Sequence, residues 1–195
     1  MSAEERALRA RNLRTLALLA GLFVLPLAAA FCTYYGSDWR PAGHVNHGEL
    51  LRPPRPLPEL SLPGTPESPL WRGRWALVYL GSGGCPGRCR ATLDLMRQTR
   101  LALNQDMGRV RRVFLVIADG PPAPEVAADY PGLIVVDAST PAHAALRREF
   151  PAGDASSRLF VVDPLGNLIL SYDARQDPHG LLEDLKRLLR LSQVG

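Results

Sequence analysis

The sequence predicts a mixed α/β domain, one sheet flanked by helices, carried behind a single N-terminal transmembrane helix. Three observations support this: an uncharged apolar run near the N-terminus, short apolar segments alternating with amphipathic ones after Leu60, and two apolar segments joined by a Pro/Gly turn near the C-terminus. A chain of 195 residues has room for one compact domain and an appendage. Its composition, 46% hydrophobic and 22% charged, is that of a globular protein rather than a disordered one.

The apolar run comes first. Leu16–Phe31, LALLAGLFVLPLAAAF, holds 16 residues without a charge. With Thr15 and the Cys-Thr-Tyr-Tyr stretch at 32–35 it approaches the roughly 20 residues needed to cross a bilayer. Arg6, Arg9, Arg11 and Arg14 precede it, and Tyr34, Tyr35 and Trp39 follow, ring types that favour the membrane interface. The basic side stays in the cytoplasm. Residues 1–14 therefore read as a cytoplasmic tail and 15–35 as an anchor crossing a bacterial inner membrane once, with the rest of the chain in the periplasm. Ala28–Ala30 also supply the small residues of a cleavable leader, whereas Phe31 is too large to precede a lipidated Cys32. An uncleaved anchor is the preferred reading, and Pro26 is tolerable within it.

The net charge of +4 raises nucleic-acid binding as a function class. Four of the 23 basic residues and two of the 19 acidic ones fall within the first 14 positions, so the rest of the chain carries little excess. No Lys/Arg block is interleaved with aromatics and Lys186 is the only lysine, so the footprint of a nucleic-acid binder is missing.

Residues 36–58 are proline-rich without a clear period and read as a spacer containing short extended pieces. Residues 59–195 read as the folded domain. Trp75–Leu80 is a short apolar run bounded by turn residues, a buried strand. A helix starting near Pro86 follows, with Leu93, Met96, Leu101 and Leu103 as its apolar positions. Val113–Ala118 is a second buried strand, ended by the breaker-rich Asp-Gly-Pro-Pro-Ala-Pro-Glu run. Leu133–Val136 is a third strand and Pro141–Phe150 a helix. Leu159–Val162 and Leu168–Tyr172 flank Asp-Pro-Leu-Gly-Asn, a hairpin. Gly180–Leu191 closes the chain as an amphipathic helix. Parallel strands linked by helices and closed by an antiparallel hairpin make a mixed sheet with helices on both faces. A thioredoxin-like domain has that element order.

Chemistry concentrates in Tyr79–Met96, YLGSGGCPGRCRATLDLM, which holds Cys85 and Cys89 four positions apart where the first strand turns into a helix. A helix N-terminus offers unpaired N–H groups and the positive end of its dipole, and both stabilise a thiolate. Arg88 and Arg90 add positive charge, and Cys85, ahead of the helix, is predicted to be the more exposed thiol with a lowered pKa. The Gly-Ser-Gly-Gly run lets the chain turn sharply and keeps bulk away from the sulfurs. It lacks the Gly-Lys-Ser/Thr ending of a phosphate loop. The spacing admits a disulfide, a redox pair, or two soft thiolates holding Cu(I). Structural zinc has no second Cys/His pair at zinc-site spacing.

At these residues the chain resembles the Sco/SenC proteins, membrane-anchored thioredoxin-like factors of cytochrome c oxidase copper-centre assembly. Cys85, Pro86, Cys89, Leu93 and Met96 match their Cys-Pro-x-x-Cys segment and its following Leu and Met, and Asp163, Pro164 and Gly166 match their Asp-Pro-x-Gly step. The resemblance spans about residues 60–195. It departs at the copper-ligand histidine, where Asp154-Ala155-Ser156 carries alanine. Disulfide-exchanging thioredoxins usually carry a cis-proline just before the strand corresponding to Leu159–Val162, and none stands there.

Three functions follow. The leading one is a membrane-anchored thiol–disulfide oxidoreductase in oxidase copper-centre biogenesis. Cys85 attacks and Cys89 resolves, the resemblance implies the oxidase copper subunit or its assembly factors as client, and an upstream thiol reductant restores the dithiol. The second is a Cu(I) metallochaperone using Cys85 and Cys89, copper being the one cofactor implied, with His179 as a further candidate ligand. The third is a non-catalytic assembly scaffold with a structural disulfide. His44 and His47 form an H-x-x-H pair in the spacer, His143 reads as a surface residue, and Met96 and Met107 as packing. Cys32 reads as a small hydrophobe at the membrane edge.

Overall fold

The computed structural model describes residues 3–36, 46–62, 69–151, 157–175, 178–192 and 194. The chain divides into two compact units, Met1–His44 and Val45–Gly195.

The described residues of the first unit form one helix, α1 (Ala3–Gly36). Within it, the 26 residues from Arg11 to Gly36 are long and apolar enough to cross a membrane. Its large apolar side chains, Leu16 to Tyr35, are exposed. A helix apolar all round has no polar face to give to water, and lipid is the solvent that suits it. Trp39 lies outside the described residues.

The second unit is a six-stranded sheet in the order β1-β6-β5-β2-β3-β4. Its strands are β1 (Glu49–Pro56), β2 (Trp75–Ser82), β3 (Val110–Ala118), β4 (Leu133–Asp137), β5 (Arg158–Val162) and β6 (Asn167–Asp173). β2, β3 and β4 run parallel, joined by α2 (Gly87–Ala102) with a 3₁₀ turn at Asn104–Arg109, and by α3 (Pro124–Asp129). A 3₁₀ turn at Pro141–His143 and α4 (Ala144–Glu149) lead on to β5, which lies antiparallel to β2. β6 and β1 extend that edge antiparallel, and α5 (Pro178–Leu191) ends the fold.

β2 is central and buried along almost its whole length, as expected of a parallel strand covered on both faces. Its side chains alternate between two cores. Trp75, Leu77 and Tyr79 pack with Phe114 of β3 and with Leu159 and Val161 of β5. Leu93 and Met96 of α2 and Leu181, Leu185 and Leu189 of α5 complete that core. Ala76, Val78 and Leu80 point the other way, toward Val113, Leu115, Phe160 and Val162, and are covered by Leu146 of α4, Phe150, Leu57 and Trp71.

The sheet begins earlier than composition predicts. Residues 49–56, placed by sequence in the 36–58 spacer, form the edge strand β1, which pairs with β6. Prolines 53, 54 and 56 sacrifice ladder donors, which an edge strand tolerates, and the pairing register breaks between Leu50 and Arg55. Arg158 pairs with Glu49 and donates to Ser171 Oγ at 2.8 Å, linking β5, β6 and β1. The breaker-rich run ends β3 at Ala118 as expected and leads directly into α3, a helix absent from the sequence reading, whose Pro124 occupies its first turn, where a missing N–H costs nothing. One further expectation is corrected: the helix expected over Pro141–Phe150 is split into the 3₁₀ turn and α4.

The β5–β6 hairpin turns at Asp163–Gly166. Asp163 Oδ1 accepts from the amides of Leu165 (2.9 Å) and Asn167 (2.8 Å), and Gly166 takes the left-handed conformation at φ +86°. Because Ala76 faces Val162 and Tyr79 faces Leu159, this turn lies at the end of the sheet opposite the end of β2 that feeds α2.

Candidate dithiol site

The site is built where β2 ends and α2 begins. Gly83 donates its amide to Ala118 O (2.9 Å) and accepts from Ala123 N (3.0 Å), clamping this turn to the loop after β3. A Cβ at Gly83 would overlap the carbonyl oxygen of Pro121 and stand 2.5 Å from that of Gly120, so glycine is required here for close approach. Gly84 and Gly87 have open space around them. The left-handed residue of the turn is Cys85 itself, at φ +41°, a conformation that costs a non-glycine residue roughly 1–2 kcal/mol. Pro86 then caps α2 in an extended conformation, and its carbonyl accepts from Cys89 N at 2.7 Å and Arg90 N at 3.2 Å.

Cys85 and Cys89 are joined in a disulfide, with their Cα atoms 5.1 Å apart. Both are buried, Cys85 at 1% and Cys89 at 3% exposure, so Cys85 is not the more exposed thiol that its place ahead of the helix suggested. The reason is packing: the pair sits in the same apolar cluster as Tyr79, Leu93 and Met96. Arg90 does not serve the thiols either, because its Nη1 pairs with Asp129 Oδ2 at 2.8 Å. Arg88 stays at the site. It lines a cleft of about 430 Å³ together with the end of β2 (Tyr79–Ser82), Pro86, Cys89, the end of β3 (Ile117 and Ala118) and Asp119 just beyond it. Cleft and disulfide thus occupy the carboxyl ends of two parallel strands, the usual ligand position in such sheets.

The remaining candidates are elsewhere. His179 is exposed in the first turn of α5, and no group of three or more His, Cys, Asp or Glu suited to a metal occurs among the described residues. His44 and the Asp154-Ala155-Ser156 step lie outside the described residues. His47 is engaged: its amide donates to Asp184 Oδ2 (2.8 Å) and its Nδ1 lies 3.3 Å from Oδ1. His143 Nδ1 lies 3.1 Å from Thr140 Oγ1. Met96 is fully buried, whereas Met107 is 43% exposed and does not pack as expected. Cys32 is a free, exposed thiol on α1.

Sequence reasoning missed the β3 side of the cleft, Ile117–Asp119, and the buried knot around Asp184. A breaker run directly after a parallel strand was the available signal for the first. The second had none, since Asp184 is 136 residues from Gly48, whose amide it accepts at 3.1 Å. Tyr172 donates to the same carboxylate at 2.6 Å.

A dithiol at the turn from the first central strand of a mixed sheet into its first long helix defines a thioredoxin-like protein. More particularly, the chain belongs to the family described as transmembrane-like, thioredoxin-like, C-terminal domain, whose model matches residues 75–192. Solved structures agree in fold. Apo Sco1 from Thermus thermophilus is 22% identical, with a TM-score of 0.58 over 76% of this chain and 99% of that one. Copper-bound yeast Sco1 is 18% identical, with a TM-score of 0.52 over 63% and 82% of the two chains. A SCO1/SenC family lipoprotein from Bacillus anthracis is 12% identical, with a TM-score of 0.51 over 72% and 97%. At these identities the likeness is one of fold. A search of curated protein sequences finds no match.

Proposed function

We propose that this chain is a membrane-anchored thiol–disulfide exchange protein that serves assembly of the cytochrome c oxidase copper centre. The observation that carries the reading is the Cys85–Cys89 bridge at the head of α2 beside an open cleft. The similarity in fold to Sco1 and SenC proteins supports the choice of client. In the reduced protein, one thiolate of the pair attacks a client disulfide; a mixed disulfide forms and one client sulfur leaves as a thiolate. The second protein thiolate attacks the mixed disulfide, releases the other client thiol and closes the Cys85–Cys89 bridge. An upstream thiol reductant reopens it. The client is the cysteine pair of the oxidase copper subunit, or of a factor that loads it. α1 anchors the chain in a bacterial inner membrane, with residues beyond about 36 in the periplasm.

Cys85→Ser and Cys89→Ser in the full chain test this. Loss of the resolving thiol should trap a mixed disulfide with the client, visible as a higher-mass species on a non-reducing gel. If neither variant traps one, the bridge is structural and the scaffold reading takes over.

A Cu(I) metallochaperone is the second reading, favoured by one observation: yeast Sco1, similar in fold, is solved with copper bound. Two thiolates at Cys85 and Cys89 suit two-coordinate Cu(I) as cargo. His179 is not grouped with them in any candidate metal cluster among the described residues. Titration of the reduced full chain with Cu(I) against a chelator of known affinity decides it: one ion held tightly, and lost in Cys85→Ser, supports metal transfer.

A further inference from the structure

Independently of the exchange reading, we infer that Arg97, Arg100 and Arg112 form a binding site for a phosphate group between α2 and the start of β4. The site begins with one buried cation. Arg112 stands on β3 between Val110 and Phe114, on the face that α2 covers, and is 3% exposed. Its Nη2 donates to Pro131 O at 2.6 Å, so the guanidinium reaches past its own strand to the turn that opens β4. Its Nε and Nη1 are buried and have no hydrogen-bond partner. The register sets Arg112 beside Leu77 and Leu133, toward the amino ends of the parallel strands, whereas the dithiol cleft lies at their carboxyl ends.

The helix above adds two more cations. Arg97 and Arg100 lie three positions apart and so share a face of α2. Arg100 Nε donates to Val110 O at 2.8 Å, two residues from Arg112 on the same strand. Burial first, then Arg100, then Arg97, hold the Arg112 guanidinium below the ordinary arginine pKa. Among the described residues no carboxylate pairs with any of the three: Asp94, the acid of α2, acts on Tyr130, and Asp129 pairs with Arg90. A water accepts from a free N–H but leaves three like charges together, and a buried charge without a partner is costly to keep. A phosphate group supplies both the opposite charge and the acceptors, since its oxygens match pairs of guanidinium N–H groups in bidentate geometry. Arg97 is exposed and free to change rotamer, so the ligand enters past it, with Arg100 as the wall and Arg112 as the floor.

The full chain in a non-ionic detergent is titrated with potassium phosphate, and in parallel with potassium chloride at matched ionic strength, while the urea midpoint is followed. A phosphate bound only by the folded state raises the folded-to-unfolded ratio about a hundredfold at 100 times its Kd, and chloride does not. Arg97→Gln, at an exposed position, should weaken phosphate by about tenfold in Kd. Arg112→Met should abolish the phosphate effect and, without phosphate, be at least as stable as the parent, because no unpaired charge stays buried. Broadening of the 31P line of phosphate by the parent, and its loss in Arg97→Gln, reads binding without reference to stability. In a second arm, micelles containing phosphatidylglycerol replace free phosphate. Stabilisation by the lipid alone, lost in Arg97→Gln, supports the site and assigns the phosphate group to a lipid headgroup; stabilisation by inorganic phosphate assigns it to a free ion. Midpoints that rise no further in phosphate or lipid than in chloride overturn the site. So does an equal rise in the parent, Arg97→Gln and Arg112→Met, which is the general salting effect of phosphate on folded proteins.

Discussion

The turn from β2 into α2 and the turn from β5 into β6 stand at opposite ends of the sheet and use glycine in different ways. In the hairpin, the left-handed position is given to Gly166, and Asp163 satisfies the surrounding amides. In the dithiol turn, glycines occupy 83, 84 and 87, yet the left-handed position falls on Cys85. Gly83 serves close approach to the β3 loop instead. The hairpin turn places its left-handed residue where glycine bears it without strain. The dithiol turn places it on Cys85, and the clamp at Gly83 surrounds that residue.

This difference can be broken from either side. The largest effect is expected at Gly83→Ala, where the new methyl meets backbone carbonyls that cannot rotate away. Stability should fall by about 1–3 kcal/mol, read from urea midpoints, and the rate of exchange with glutathione should change as well because the clamp holds the site. An unchanged rate would mean that the clamp does not position the dithiol.

Gly166→Ala should cost roughly 1–2 kcal/mol for the left-handed conformation and leave the exchange rate unchanged. A methyl there would also lie 3.3 Å from Trp71 Cβ, a contact that needs a small adjustment. A changed exchange rate would show that the two ends of the sheet are coupled.

The smallest effect is at a third place, the knot joining His47 and Gly48 to β6 and α5. Burial pushes the Asp184 carboxyl up, but hydrogen bonds from Tyr172, Gly48 and His47 outweigh it and hold it below the ordinary carboxylate range. Burial, followed by the bond to Asp184, pushes the Tyr172 hydroxyl up, so it stays a donor. A depressed carboxyl stabilises the fold above its unfolded pKa, and that contribution disappears as pH falls through its folded pKa. Tyr172→Phe removes one donor, so the folded value rises toward the unfolded one and the contribution that acid can remove shrinks. Urea midpoints followed from about pH 7 down to pH 3 should show a loss near neutrality of about 1 kcal/mol that narrows as the pH falls, so the acid limb is shallower than in the parent. An acid limb of unchanged steepness would mean that this bond does not hold the carboxylate in its charged form.

Much of this fold is legible because its strands are bounded by turn residues and its helices carry a clear apolar stripe. Trp75–Leu80, Leu133–Val136 and Leu159–Val162 fall within β2, β4 and β5. β1 is hidden because prolines dominate its sequence, and only its edge position makes them tolerable. At the site, the cysteine pair and its helix are readable, but their burial is not. That burial comes with membership of the apolar cluster that also holds Tyr79, Leu93 and Met96, and the pairing of Arg90 with Asp129 was equally unreadable.

The sequence by itself determined what is local: an apolar helix long enough for a bilayer, the order of the strands from β2 to β6 and of the longer helices, and two thiols spaced for a bridge at a helix entrance. These follow from periodicity, turn chemistry and the reach of a short loop, which need no knowledge of distant residues. Only the tertiary structure decided that both cysteines are buried, which arginine lines the cleft beside them, and that a proline-rich stretch completes the sheet. Each of those depends on groups far apart in the chain, brought together by burial of apolar surface and by the polar contacts that burial makes obligatory.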